Sequence, residues 1–286
     1  MTAMRQREVQ CLSQAAFHRM AYTEWGDPAN SKVLVCVHGL TRSGRDYDFL
    51  AQTMSGEYRV VCPDVVGRGI SDWLPNKALY GVPQYMADMV TLLARLDATS
   101  VDWVGTSMGG LIGMTLAALA KSPIRRLLLV DVGPVVTAAS IARIGEFLGL
   151  APRFDSIEQA EAYLRLVAAP FGPLSDAQWR HLTENTVKAH ADGKYDVRYD
   201  PGIAEPFRAV MGEGKDHELW PVYDAIRCPT RVLRGETSDV LTRETAQEMT
   251  RRGPHAEMVE IPGVGHAPML LDEAQIRHVR EFLLAS

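Results

Sequence analysis

The chain has 286 residues, 47% of them hydrophobic, and a formal net charge of −5. That length suits one large α/β unit with a sizeable buried core. The acidic balance and the lack of a basic stripe argue against nucleic acid as a partner, and no apolar run approaches the ~20 residues needed to cross a bilayer.

The first ten residues are polar and lack the apolar core of a signal segment. Residues 16–26 alternate, carry Tyr22 and Trp25, and predict an edge strand. Val33 to His38 reads as a buried strand, 46–55 as a helix, and Tyr58 to Cys62 as a strand closed by Pro63-Asp64. A polar, Gly-rich loop covers 64–81. Pro83 to Asp97 reads as a helix, with Pro83 suited to its first turn. A strand at 101–105, a helix at 107–121 and a strand at 126–131 follow. Short apolar strands alternating with amphipathic helices predict an α/β fold, a parallel sheet with helices on both faces.

The alternation stops from about 134 to 222, where helices are expected at 137–149, 156–168 and 175–191. Ser156 and Ser175 each precede a glutamine by three residues, the spacing of a capping box. The alternation resumes with a strand at 230–235, a helix at 242–252, a strand at 257–261 and a helix at 268–284. The chain is therefore divided into an α/β core, 1–133 and 223–286, and a helical cap, 134–222. An insertion of that size at a strand end reads as a lid over a site, a dimerisation element being the alternative. Its aromatic residues, Phe147, Tyr163, Phe171, Trp179, Phe207 and Trp220, are assigned to the cap's own core.

Gly105-Thr106-Ser107-Met108-Gly109 lies between a predicted strand and an apolar helix. In that context Gly-x-Ser-x-Gly is a nucleophile elbow, a turn so tight that residues two before and two after the serine must be small. A serine hydroxyl needs a base, and the base needs an acid to fix its tautomer. His266, in the Gly-rich loop after the 257–261 strand, is the expected base. For the acid, Asp239 beyond the 230–235 strand is preferred. Asp131, at a strand end 24 residues after Ser107, is the competitor, and Glu236 a weaker one. The backbone N–H groups of Leu40 and Met108 are the expected oxyanion donors. His38 is read as structural, and so are Asp64 and Arg68 of the Asp64-x-x-Gly-Arg-Gly-x-Ser71 loop. Arg42 and Arg45 are candidates for gripping a substrate carboxylate, against the alternative of a solvated face.

The four cysteines, Cys11, Cys36, Cys62 and Cys228, are far apart, and no Cys/His spacing suggests a metal. They read as reduced thiols of a cytoplasmic protein.

His38-Gly39, the Asp64 loop, the Ser107 elbow, Asp239 and Gly-His266-Ala-Pro follow one another in the order seen in the α/β-hydrolase superfamily, which this chain resembles from about residue 20 to 284, apart from the insertion, whose position matches the family's helical cap. The resemblance implies an α/β-hydrolase fold: a mostly parallel eight-stranded sheet flanked by helices, with a helical cap. It also implies acyl-enzyme chemistry without a cofactor, and looks most like the branch of esterases, lactonases and carbon–carbon hydrolases of meta-cleavage products. Ser107 stands where dehalogenases and epoxide hydrolases carry aspartate. The loop His-Gly-Leu-Thr-Arg lacks the Gly-Pro-Gly of meta-cleavage hydrolases and the His-Gly-Gly-Gly of lipases. The expected activity is hydrolysis of small carboxylic esters or lactones. Carbon–carbon hydrolysis of a keto acid is the alternative, and a non-catalytic binding protein a third. The expected partner is a small-molecule substrate, and the choice between monomer and homo-oligomer stays open.

Overall fold

The computed structural model describes residues 4–285. Its centre is an eight-stranded sheet: β1 (Arg5–Leu12), β2 (Phe17–Trp25), β3 (Val33–Val37), β4 (Arg59–Pro63), β5 (Val101–Thr106), β6 (Ile124–Val130), β7 (Thr230–Gly235) and β8 (Glu257–Ile261). The spatial order is β1-β2-β4-β3-β5-β6-β7-β8. β1 and β2 form an antiparallel hairpin that joins β4, also antiparallel, and every pairing from β4 to β8 is parallel.

Buried Val, Leu and Cys fill all five positions of β3, as expected of a strand covered on both faces. α1 (Asp48–Met54) and α10 (Glu273–Leu283) close one face, packing Leu50, Met54, Ile276 and Phe282 against the sheet. α2 (Val82–Leu96), α3 (Met108–Ala117) and α9 (Arg243–Met249) cover the other with Met89, Leu92, Ile112 and Met249. α3 lies close on the strands. A Cβ at Gly113 would come within 2.3 Å of Trp103 Nε1, and one at Gly109 within 1.9 Å of the Val37 carbonyl oxygen.

The register positions the site. Val37 pairs with Gly105, and Thr106 with Val130. The loop after β3, the turn after β5 and the first residue after β6 therefore leave the sheet side by side, so Asp131 emerges beside Ser107.

Two expectations change here. Residues 16–26 form not an edge strand but β2, flanked by β4 and by β1. The polar N-terminal segment is the edge instead. Val9 and Cys11 of β1 are buried while most of its other side chains are open to water, too sparse an apolar alternation to stand out in a polar run.

The segment between β6 and β7 holds α4 (Ala138–Phe147), α5 (Ile157–Val167), α6 (Asp176–Thr186), α7 (Ala204–Gly212) and α8 (Trp220–Asp224). The Ser175 capping box is complete: Ser175 Oγ accepts from the Gln178 N–H, and the Gln178 side chain returns to the Ser175 N–H. At Ser156 only half forms, because Gln159 Oε1 accepts from the N–H of Asp155 instead. The expected helix to 191 stops at Thr186. Val187–Ala189 turns into a small antiparallel sheet with Tyr195–Val197 and Arg153–Phe154, pairings too short to leave a periodic pattern.

Candidate active site

Ser107 links β5 to α3 at φ 52° and ψ −115°, a strained conformation for a residue bearing a Cβ. The elbow tolerates no side chain at its flanks: a Cβ at Gly105 would lie 2.3 Å from the Gly109 carbonyl oxygen. Trp103 Nε1 donates to that same carbonyl (3.1 Å), and the Ser107 N–H donates to Val130 O (3.0 Å), fixing the turn against β6.

His266, in the loop after β8, approaches with both ring nitrogens engaged. Nε2 lies 3.0 Å from Ser107 Oγ and Nδ1 2.7 Å from Asp131 Oδ2. A carboxylate only accepts, so Nδ1 carries the proton and Nε2 is left to accept from the serine hydroxyl. Asp131 is fully buried, at φ 53°. Its Oδ1 accepts from the Gly235 N–H (2.8 Å), and its Oδ2 also accepts from Ser238 Oγ (2.6 Å). Ser238 Oγ in turn accepts from the N–H groups of Val240 and Leu241.

The expected contact between Asp239 and His266 does not form. The loop after β7 turns Ser238 inward and its neighbour Asp239 outward, where the carboxylate is 48% exposed and pairs with Arg143 of α4. Arg234 sets this phase. Its buried guanidinium donates to the carbonyls of Glu236, Ser238 and Leu241, pinning the loop's backbone. Glu236 accepts from the Gly263 N–H and does not meet His266 either. Asp131, the competitor, occupies the place beside the histidine. The cue available in the sequence was an aspartate directly after the apolar run Leu127–Val130, at the end of the strand that follows the elbow's helix. Ser238 and Arg143 gave no such signal.

The loop after β3 is held from beneath. His38 is completely buried; its Nδ1–H donates to Gly39 O (2.6 Å) and its Nε2 accepts from the Val65 N–H (3.0 Å). Burial pushes its pKa down to about 3, so the ring is neutral. Because the Gly39 carbonyl turns toward His38, the Leu40 N–H of the same trans peptide points the opposite way. Arg68 fixes the next carbonyl, Leu40 O, at 2.7 Å and sits against the rings of Tyr80 and Tyr85. Asp64 accepts from the N–H groups of Gly44 and Ile70 (2.7 and 2.9 Å). Met108 opens α3, so its N–H has no intrahelical partner and lies at the helix's positive end.

Ser107 and His266 lie on the wall of a cavity of about 620 Å³ whose lining is mostly apolar. Phe147, Tyr163, Phe171 and Phe207 reach it, rather than serving only as core of the insertion, while Trp179 packs away among Leu164, Leu182 and Met269. The amphipathic α4, α5 and α7 each turn part of their apolar surface toward the cavity, a direction the sequence pattern leaves unspecified. Arg42 also lines it, but its guanidinium is bidentate to Asp46 (2.8 and 2.6 Å) and donates to Thr186 Oγ1 (2.7 Å). Arg45 does not reach the cavity and pairs with Asp48.

One cluster has no trace in the spacing of the sequence. The β1–β2 hairpin sets Cys11 opposite His18, and both meet Asp88 of α2, with ligand-type atoms of all three within 4.8 Å of one another. Asp88 accepts from His18 Nε2 (3.0 Å) and Gln84 Nε2 (2.8 Å). Burial, aided by the Asp88 charge, pushes the Cys11 thiol up to about 12. The group ties the hairpin to the helix.

Comparison with known proteins agrees with this architecture. The family model described as "Alpha/beta hydrolase family" matches residues 34–277. A 3-hydroxybutyrate-oligomer hydrolase of Cupriavidus necator is 53% identical over 280 residues, 96% of each chain. A solved alpha/beta hydrolase from Novosphingobium aromaticivorans is 34% identical, superposes with a TM-score of 0.88 and covers 99% of both chains. Esterase YbfF of Escherichia coli is 24% identical over 260 residues, 89% of this chain and 94% of its own. A match that runs from β3 to α10, through both halves of the sheet and the insertion between them, places this chain in the alpha/beta hydrolase family.

Proposed function

We propose that the chain is a serine hydrolase that cleaves the ester bonds of 3-hydroxybutyrate oligomers, with Ser107 as nucleophile, His266 as base and Asp131 as acid. The observation that carries the reading is the continuous hydrogen-bonded line Ser107–His266–Asp131 on the wall of a largely apolar cavity. The 53% identity to an oligomer hydrolase supports the substrate.

Ser107 Oγ attacks the ester carbonyl carbon while His266 Nε2 takes its proton. The tetrahedral oxyanion accepts from the N–H groups of Leu40 and Met108, dipoles fixed before the charge develops. The carbon–oxygen ester bond then breaks, and His266 returns the proton to the leaving oxygen, which becomes the hydroxyl of the released fragment. Water repeats the sequence on the acyl-serine and frees the second fragment as a carboxylic acid. Asp131 holds the Nδ1–H tautomer and stabilises the imidazolium throughout. The segment 134–222 acts as a cap over the cavity, excluding bulk water from the acyl-enzyme. An oligomer of short aliphatic units matches apolar walls better than a multiply charged substrate does. The ester reading is preferred to carbon–carbon hydrolysis because the relative that is 53% identical over 96% of this chain is an oligomer hydrolase.

The test is release of 3-hydroxybutyrate from its linear dimer by the wild type and Ser107→Ala. The wild type is expected to turn the dimer over, and Ser107→Ala to lose several orders of magnitude. A wild type that hydrolyses p-nitrophenyl acetate but leaves the dimer intact would overturn the substrate assignment.

A further inference from the structure

A linear 3-hydroxybutyrate oligomer carries one charge, the carboxylate at its acid end, and an enzyme that acts on it in an apolar cavity must place that charge. Few cationic side chains reach this cavity. Arg42 is mostly buried, and its bidentate pairing with the equally buried Asp46, completed by Thr186, leaves no reason for it to change partner. Arg143 is different. It lines the cavity from α4 yet keeps 38% of its side chain exposed, which puts it where the cavity meets solvent. Its partner Asp239, on the loop after β7, is 48% exposed, and Nη2 lies 3.0 Å from Oδ1. An ion pair this open to water contributes little, so a second carboxylate can replace the first at small cost. Guanidinium is also the group best matched to a carboxylate, through two parallel hydrogen bonds.

A further polar atom borders the same space. His217 lines the cavity, and its Nε2 is buried without a hydrogen-bond partner among the described residues, the nearest carboxylate oxygen being Glu213 Oε2 at 4.0 Å. Such a nitrogen is available to a polar group of a ligand that enters the cavity.

We propose that Arg143 is the carboxylate-binding residue of this cavity, and that Asp239 occupies it until the acid end of the substrate takes its place. The proposal rests on the oligomer reading above and extends it. With the acid end held at Arg143, the ester presented to Ser107 is set by its distance from that end, and the fragment that leaves first carries the carboxylate. Asp239 screens the site against anions that lack an apolar chain to fill the cavity. Because Arg143 stands on the insertion and Asp239 on the core, the same exchange loosens one tie between the two as substrate enters.

The experiment measures the inhibition constant of the 3-hydroxybutyrate dimer and of its methyl ester against p-nitrophenyl acetate hydrolysis. It does so in the wild type, Arg143→Gln and Asp239→Asn. Inhibition reads binding whether or not the dimer is cleaved, so failure of the substrate assignment and failure of this proposal are separate results. The ratio of the acid's constant to the ester's is expected to rise about tenfold in Arg143→Gln, the scale of one lost charge-assisted contact. In Asp239→Asn it is expected to fall, because the competitor for Arg143 is gone. Opposite signs distinguish a binding site from a mere clasp, since both substitutions break the clasp alike. Ratios that move together, an unchanged ratio in Arg143→Gln, or a dimer that does not inhibit the wild type would each overturn the proposal.

Discussion

Neighbouring side chains on one loop have opposite fates here. Ser238 faces inward and bonds Asp131, while Asp239 faces water and bonds Arg143. The consequence is a sharp comparison between two aspartates. Asp131→Asn would offer His266 an amide able to favour the wrong tautomer, and should lower kcat for p-nitrophenyl butyrate by about a thousandfold. Asp239→Asn should cost at least a hundredfold less on the same substrate. Steady-state kinetics of the two purified variants checks this, and equal losses would mean that the acid has been misassigned. The preference for Asp239 in the sequence rested on its place beyond the 230–235 strand and ahead of His266. That place does not carry the backbone phase that Arg234 imposes by gripping three carbonyls of the loop.

Among the elements, the loop after β3 and the β5–α3 elbow rest on buried polar groups whose protonation state is fixed. His38 binds its proton in the unfolded chain near 6.5, but only at about 3 when folded. Between those values the unfolded state holds more protons, so stability falls as pH drops from about 6.5 toward 3, by up to ~1.4 kcal/mol per pH unit from this group alone. Above 6.5 its contribution is complete. His38→Gln removes the titrating ring, so its stability should fall less steeply between pH 7 and pH 5, even if it starts lower. Urea unfolding at the two pH values measures this. The buried Asp64, whose pKa is raised chiefly by desolvation, is common to both proteins and cancels in the comparison. Parallel slopes would refute the account of His38. The elbow was legible because its glycines are forced by contacts, a carbonyl oxygen within 2.3 Å of a Cβ at Gly105 and within 1.9 Å at Gly109.

For the whole molecule, the decisive feature is the cavity between sheet and insertion. Its apolar walls come from α4, α5 and α7 above and from the strand-end loops below. Chain length of the substrate should therefore respond to the insertion. Val210→Trp, at a partly exposed position of α7 on the cavity wall, should depress cleavage of the 3-hydroxybutyrate tetramer about tenfold relative to the dimer, the scale of discrimination that pocket volume provides. Chromatography of the products over time would follow it. Equal effects on dimer and tetramer would place Val210 outside the path of the chain.

Local pattern alone determined much of this protein. The alternation of strands and helices, the break near residue 134, the serine elbow and the histidine loop all follow from side-chain periodicity and from glycines that steric contact requires. Periodicity and the contact of Gly105 with Gly109 inside the turn are properties of neighbours in sequence, so the sequence contains them. The N-terminal edge strand, the inward turn of Ser238, the pairing of Arg143 with Asp239 and the Cys11–His18–Asp88 cluster were decided only in three dimensions. Apart from the hairpin that seats the edge strand, each joins residues distant in sequence, and their distances depend on strand register and on how one loop's carbonyls are held. Asp131 stands between the two cases. The sequence placed it at the end of a strand, but only the pairing of Thr106 with Val130 brings that end beside Ser107.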